Sequence, residues 1–280
     1  MNLTCVKCKA ALSPTNKNKG KFQCDECGFE YIWKDNCFKY IADPLLFEHF
    51  RRDYLLNKAL NNNGYISYQV LSEGSLSYKD RNDVSRFRSF INSQIKQGKI
   101  LDIGCGLLPL PGYLDFDHPD QYELIGLDPI DDETFRGFRI VGCAEYTPFE
   151  QNSLDGVIFA TSLDHVVSMK ASFNECYRVL DSGGKLLIWM TDISKPFWQN
   201  IKWKWERFKE SIRQGYPLSR YVVYPNWTVF YIPGNAVDPF HKCYEKPREV
   251  VKLLNKTGFK KIELVRHSEM EIFVTAEKNV

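Results

Sequence analysis

Four groups of residues in this chain have types and spacings that could do chemistry. The first is Lys99-Ile-Leu-Asp-Ile-Gly-Cys-Gly106, an apolar run that ends in two glycines with Asp102 two residues before the first of them. Gly104 and Gly106 allow a tight turn and a close backbone approach that side chains would block. A carboxylate at Asp102 suits a cationic ammonium and repels a dinucleotide pyrophosphate, and Pro109 stands where a dinucleotide fingerprint has its third glycine. A ligand that joins adenosine to an amino-acid ammonium fits these residues best. The second group is Tyr122-Glu-Leu-Ile-Gly-Leu-Asp128, an apolar run ending on an acid that can accept both hydroxyls of a ribose. The third is Asp164-His165, just past another apolar run, with His241 in Asp238-Pro-Phe-His241 as a second histidine. Either histidine could take a proton near neutrality, and each has a structural alternative as an ordered loop residue. The fourth is Cys5, Cys8, Cys24 and Cys27, two C-x2-C pairs separated by fifteen residues.

Elements must bring these groups together. Val141-Gly-Cys-Ala-Glu-Tyr-Thr-Pro-Phe149 precedes the run Ser153 to His165, and a helix ending in Arg178-Val-Leu180 leads through Gly183-Gly184 into Lys185-Leu-Leu-Ile-Trp-Met190. At these residues the chain resembles the class I S-adenosylmethionine-dependent methyltransferases, in the branch that carries A-E-x-x-P-F and R-V-L-x-x-G-G. The likeness runs from about residue 99 to 190. It implies an α/β fold, a doubly wound, mostly parallel seven-stranded sheet with helices between the parallel strands and the ligand crevice at their carboxyl ends. It also implies S-adenosylmethionine as cofactor, with Asp102, Gly104, Cys105, Gly106, Asp128, Pro129, Ala144, Glu145 and Ala160 around it. The family often places a histidine facing the methyl group after the fourth strand, which makes His165, with Asp164, the first catalytic candidate; His241, at the end of the insertion, is the second.

The cysteine pairs have the spacing of a four-thiolate zinc site. A redox pair and coincidence are the alternatives. Gly28 can take the positive φ that frees amides to bond the sulfurs, whereas Lys9 holds the matching place in the first pair and predicts a less regular half. Lys7, Lys9 and Lys21 could offset the charge of zinc bound by four thiolates. Phe22 to Ile41 resembles the small zinc ribbon fused to many bacterial methyltransferases, where it is structural or a docking surface. So short a unit has little core of its own, and metal binding is expected to supply much of its folding free energy.

With 37 basic against 35 acidic residues the chain carries a net charge of +2, which argues against a dedicated nucleic-acid surface. No apolar stretch at the start is long enough for a signal peptide or membrane span. Cys37, Cys105, Cys143, Cys176 and Cys243 read as free thiols, so a cytoplasmic protein is expected. The expected domains are a zinc ribbon at 1–42, a helical segment covering the cofactor at 43–98, and a methyltransferase domain at 99–280 with an inserted lid at 191–246. Leu45, Leu46, His49, Phe50, Tyr54 and Leu55 predict the apolar face of a helix starting at Asp43-Pro44, and a second helix is expected from about Arg81 to Gln97. The lid is rich in aromatics, and Lys202, Lys204, Arg207, Lys209 and Arg213 would give its first part a basic amphipathic helix. Helix Pro247 to Thr257 and strands Phe259 to Val265 and Met270 to Ala276 complete the reading.

The expected activity is methyl transfer to oxygen or nitrogen of a small molecule, such as a sugar or cell-surface precursor. An RNA base methyltransferase and a non-catalytic scaffold that keeps the cofactor fold are the two rivals.

Overall fold

The computed structural model describes residues 2–12, 20–51, 53–55, 81–131, 135–192, 221–223, 229–231, 246–268 and 271–279. His241, Cys243, the Lys202 to Arg213 segment and nearly all of the expected lid lie outside the described residues.

The strands are β1 (Leu3–Thr4), β2 (Ala11–Leu12), β3 (Gly20–Gln23), β4 (Glu30–Lys34), β5 (Cys37–Tyr40), β6 (Gly98–Ile103), β7 (Tyr122–Asp128), β8 (Phe138–Val141), β9 (Leu154–Ala160), β10 (Leu180–Thr191), β11 (Tyr221–Val223), β12 (Val229–Tyr231), β13 (Lys260–Arg266) and β14 (Glu271–Glu277). The helices are α1 (residues 43–51 and 53–55), α2 (Asn82–Gln94), α3 (Met169–Val179) and α4 (Pro247–Thr257). One ten-stranded sheet runs β13-β14-β10-β9-β6-β7-β8-β5-β4-β3, while β1 with β2 and β11 with β12 form separate pairs. The expected seven strands are there, from β13 to β8, with β14 antiparallel to both of its neighbours.

Side chains alternate across this sheet as the pleat requires. Leu101, Ile103, Val157, Phe159, Leu186 and Ile188 face one apolar layer, filled by Phe173 and Val179 of α3 and Val250 and Leu254 of α4. Ile100, Ile158, Leu187 and Trp189 face the other, filled by Val84, Phe87 and Ile91 of α2. Helices thus cover both faces, although they do not separate every parallel pair as expected. The β6-to-β7 crossover contains only 3-10 turns at Gly112–Leu114 and Pro119–Gln121. Pro109, Pro111 and Pro119 explain this, since each removes an amide donor and constrains its predecessor.

The ribbon does not form a body of its own. Its β5 pairs in parallel with β8, Cys37 opposite Arg139 and Lys39 opposite Val141, so β3 to β5 prolong the sheet. Tyr31 and Phe38 belong to the same apolar layer as Leu101 and Phe159, so the ribbon's core is continuous with that of the sheet. In α1, Leu45, Leu46 and Tyr54 are buried as expected. Leu55 is exposed, and so is His49, whose Nδ1 lies 3.0 Å from the Leu45 carbonyl oxygen.

Candidate functional site

β6 and β7 end side by side, and their last residues form the centre of the site. Register pairs Ile103 with Leu127, and the Gly104 amide donates to the Leu127 carbonyl at 2.7 Å. Asp128 Oδ2 accepts the Gly106 amide at 3.0 Å and Oδ1 accepts the Ile130 amide at 2.9 Å. One carboxylate thus locks the glycine turn to the loop after β7, and each oxygen keeps a lone pair for a further donor.

The glycines have different reasons. A Cβ on Gly104 would stand 2.3 Å from Ser162 Cβ, so that glycine admits the segment after β9 rather than a ligand. Gly106, with φ +67°, faces open space. Beneath the turn Asp102 is fully buried; Tyr113 donates to its Oδ2 at 2.8 Å, and its Oδ1 has no hydrogen-bond partner among the described residues. Burial pushes the Asp102 carboxyl up to about 7; the Tyr113 hydrogen bond opposes this, the Asp128 charge adds to it, and the Arg139 charge opposes it. A buried carboxylate oxygen left unpaired is costly, and a cationic donor satisfies it.

Arg139 is buried at 2 % exposure, with hydrogen bonds to the Gly106 carbonyl at 3.1 Å, the Ile130 carbonyl at 2.9 Å and the Cys105 sulfur. It ties the glycine turn to the loop after β7 from below. Cys105 therefore points into the core, and burial holds its thiol well above the usual range. Arg139, Tyr113 and Ser162 were not anticipated. Only Arg139 left a signal, as a lone cation in the apolar strand Phe138-Arg-Ile-Val141.

Residues after β9 pack against this centre. Thr161 has φ +57°, a conformation unfavourable for a β-branched side chain, and the strained turn carries Ser162 to the Ile103 carbonyl. Asp164 and His165 follow in a 3-10 turn, with His165 Nε2 3.5 Å from Asp164 Oδ1 and the ring half-buried. On the β7 side, the Gly142 amide donates to the Asp128 carbonyl at 3.1 Å, which brings Ala144 and Glu145 alongside. Glu145 Oε1 accepts the Ser168 amide at 2.9 Å, at the start of α3, where the helix dipole favours an anion. Pro129 is exposed at the rim, and Ala160 is buried at the end of β9. The structure thus gathers Asp102, Gly104, Gly106, Asp128, Ala144, Glu145 and the Asp164-His165 turn at one end of the sheet. A cavity of about 360 Å³ lined by Asn2, Lys99, Asp155 and Asp181 lies at the opposite, amino ends of β6 and β9.

In the ribbon the four cysteine sulfurs lie within 4.8 Å of one another, with Cys5 to Cys27 at 3.5 Å and Cys8 to Cys24 at 3.6 Å. Zinc–thiolate bonds of about 2.3 Å in a tetrahedron place sulfurs roughly 3.8 Å apart, so the set fits that ion. The two halves match more closely than the sequence predicts, for Lys9 takes φ +63° where Gly28 has +68°. Lys9 and Gly28 donate to the carbonyls of Cys5 and Cys24 at 2.9 and 2.8 Å. Burial acts to raise the Cys5 thiol, but hydrogen bonds from Tyr31 and the Cys8 and Lys7 amides outweigh it and bring it down to about 6. Lys9 does not turn to the sulfurs as expected; its Nζ lies 2.9 Å from Glu175 Oε1 in α3.

Comparison with known proteins agrees with this architecture. Residues 101–188 match the family profile described as a methyltransferase domain. No curated protein matches the chain. Among solved structures, a protein of Pyrococcus horikoshii is 21% identical, with 74% of this chain and 93% of that one covered at a TM-score of 0.52. The 1,6-didemethyltoxoflavin-N1-methyltransferase of Burkholderia thailandensis, solved with bound 1,6-didemethyltoxoflavin and S-adenosylhomocysteine, is 12% identical, with 94% of this chain and 100% of that one covered at a TM-score of 0.52. The chain therefore carries a methyltransferase domain, built on the fold of the S-adenosylmethionine-dependent methyltransferases.

Proposed function

We propose that this methyltransferase domain binds S-adenosylmethionine across the ends of β6 and β7 and transfers its methyl group to oxygen or nitrogen of a small molecule. The observation that carries the reading is the buried Oδ1 of Asp102, without a hydrogen-bond partner among the described residues, at the end of the strand that leads into the glycine turn where Gly106 faces open space. An ammonium satisfies the first, and close passage of the ligand uses the second. Asp128 then accepts the ribose hydroxyls on its remaining lone pairs, with Pro129, Ala144 and Glu145 along the adenosine side and Ala160 beneath the methyl end.

The bound sulfonium supplies an already activated methyl group, so the chain has to orient the acceptor and remove its proton. His165 is the base we assign, oriented by Asp164 at 3.5 Å and held near the glycine turn through Ser162. His241, outside the described residues, is the alternative base. Zinc held by Cys5, Cys8, Cys24 and Cys27 is proposed as structural. No described helix is long and apolar enough to cross a membrane, and the buried, unbridged thiols of Cys105, Cys143 and Cys176 support a cytoplasmic site of action.

The test is transfer from methyl-labelled cofactor into a fractionated cell extract. Label in a small polar product supports the reading, label in RNA replaces it with the base-methylating alternative, and cofactor binding with no transfer to any fraction favours the scaffold.

A further inference from the structure

We propose that Tyr40 of the ribbon is a positioning residue for the cofactor, holding in place the loop that carries Ala144 and Glu145. The proposal rests on the reading of that loop as part of the cofactor site. Tyr40 ends β5, is 5% exposed, and stands one residue beyond the pairing of Lys39 with Val141. Its hydroxyl accepts the Cys143 amide at 3.0 Å and donates to the Tyr146 carbonyl. One phenol thus closes both ends of the stretch from Cys143 to Tyr146. Gly142 makes room for it, since a Cβ there would stand 2.2 Å from Tyr40 Cζ. Burial holds the phenol well above its ordinary range, so it remains a donor at every physiological pH.

The ribbon grips the rest of the motif as well. The Thr4 amide donates to the Pro148 carbonyl at 2.9 Å, and Thr4 Oγ1 to that of Phe149 at 3.0 Å. Glu175 Oε1, which accepts Lys9 Nζ at 2.9 Å, also accepts the Thr147 amide at 2.8 Å. The stretch has one backbone bond of its own, from the Tyr146 amide to the Cys143 carbonyl at 3.4 Å, and the Tyr40 hydroxyl closes that same turn from the neighbouring element. Because the loop joins Asp128 through the Gly142 amide, the effect falls on the adenosine half of the ligand.

Tyr40→Phe removes the hydroxyl and keeps the ring against Gly142. Calorimetry at a temperature where circular dichroism shows wild type and variant fully folded, with zinc content measured in each, should give a Kd for S-adenosylhomocysteine raised about five- to tenfold. The factor should be the same for 5′-deoxy-5′-methylthioadenosine, which lacks the amino-acid end. Gly142→Ala, which forces the ring away, should change both ligands in the same direction and is read instead if Tyr40→Phe does not fold. Glu145→Ala is measured in parallel. If it weakens binding while Tyr40→Phe and Gly142→Ala stay within twofold of wild type, the positioning role is overturned and the loop reading stands. If none of the three weakens binding, the loop is not part of the site and both fall. A loss confined to S-adenosylhomocysteine places the effect at the ammonium end and overturns the proposal.

Discussion

Cofactor binding should depend on pH through Asp102. The fold raises this carboxyl to about 7 from an ordinary value near 4, chiefly because burial disfavours the charge. The sign follows from linkage. Between about pH 4 and 7 the folded chain holds a proton there that the unfolded chain has lost, so without ligand the group's contribution to stability falls as pH rises through that window and is level above it. An ammonium facing Oδ1 selects the ionised form, so affinity should rise with pH over the same range. With a pKa of about 7, roughly 3% of the carboxyl is ionised at pH 5.5 and about 75% at pH 7.5, a ratio of roughly 25, or about 1.9 kcal/mol. The ligand's own amine is half deprotonated near pH 7.7, which trims the gain at pH 7.5 to roughly fifteenfold and makes the acidic limb the informative one. Titrating S-adenosylhomocysteine by calorimetry at pH 5.5 and 7.5, in buffers of different ionisation enthalpy, should show this roughly 15-fold gain. At the lower pH nearly one proton should be released per ligand bound. Asp102→Asn should bind at pH 7.5 at least as weakly as wild type does at 5.5, with no rise in affinity between the two. A flat wild-type profile, or a slope that survives in the asparagine variant, refutes the assignment.

Other perturbations follow from the same contacts. Cys24→Ala, which breaks the metal site, should destabilise the whole chain and not only the ribbon, because β3 to β5 prolong the central sheet; a loss beyond about 3 kcal/mol should lower a single melting transition by roughly 6 to 12 °C, and an unmoved main transition would show an independent ribbon. His165→Ala should slow methyl transfer at saturating cofactor by roughly a hundredfold or more, with the Kd for S-adenosylhomocysteine unchanged. If an alanine at His241 gives that pattern and the alanine at His165 does not, the base is His241.

Much of this was legible in the sequence because local signals and the global fold agree there. The runs Lys99 to Gly106 and Tyr122 to Asp128 read as strands ending in chemistry, and they are adjacent in the sheet with those ends together. Helix Pro247 to Thr257 was bounded by its proline and by Gly258, which takes φ +112°. What could not be read depends on contacts between residues far apart in the chain. The close approach at Gly104 is to Ser162, 58 residues on, and nothing near Gly104 announces it. The C-x2-C spacing marked a metal site, but no local pattern tells that β5 would find β8 as its parallel neighbour. Lys9 shows the same limit, because its counter-charge, Glu175, comes from a helix 166 residues away. His241 and nearly all of the aromatic lid were assigned from the sequence and lie outside the described residues.

The claim on which the rest depends is that the ends of β6 and β7 hold S-adenosylmethionine, and Asp128 tests it most directly. Its carboxylate is 6% exposed and already orders Gly106 and Ile130, so in Asp128→Ala the ribose contacts and the glycine turn are lost together. Calorimetric titration of the zinc-loaded chain with S-adenosylhomocysteine should give one site per chain in the wild type. In folded Asp128→Ala it should give a Kd at least about a hundredfold weaker, the loss expected for two charge-assisted hydrogen bonds. Absence of binding by the wild type, or an unchanged Kd in the variant, would contradict the account.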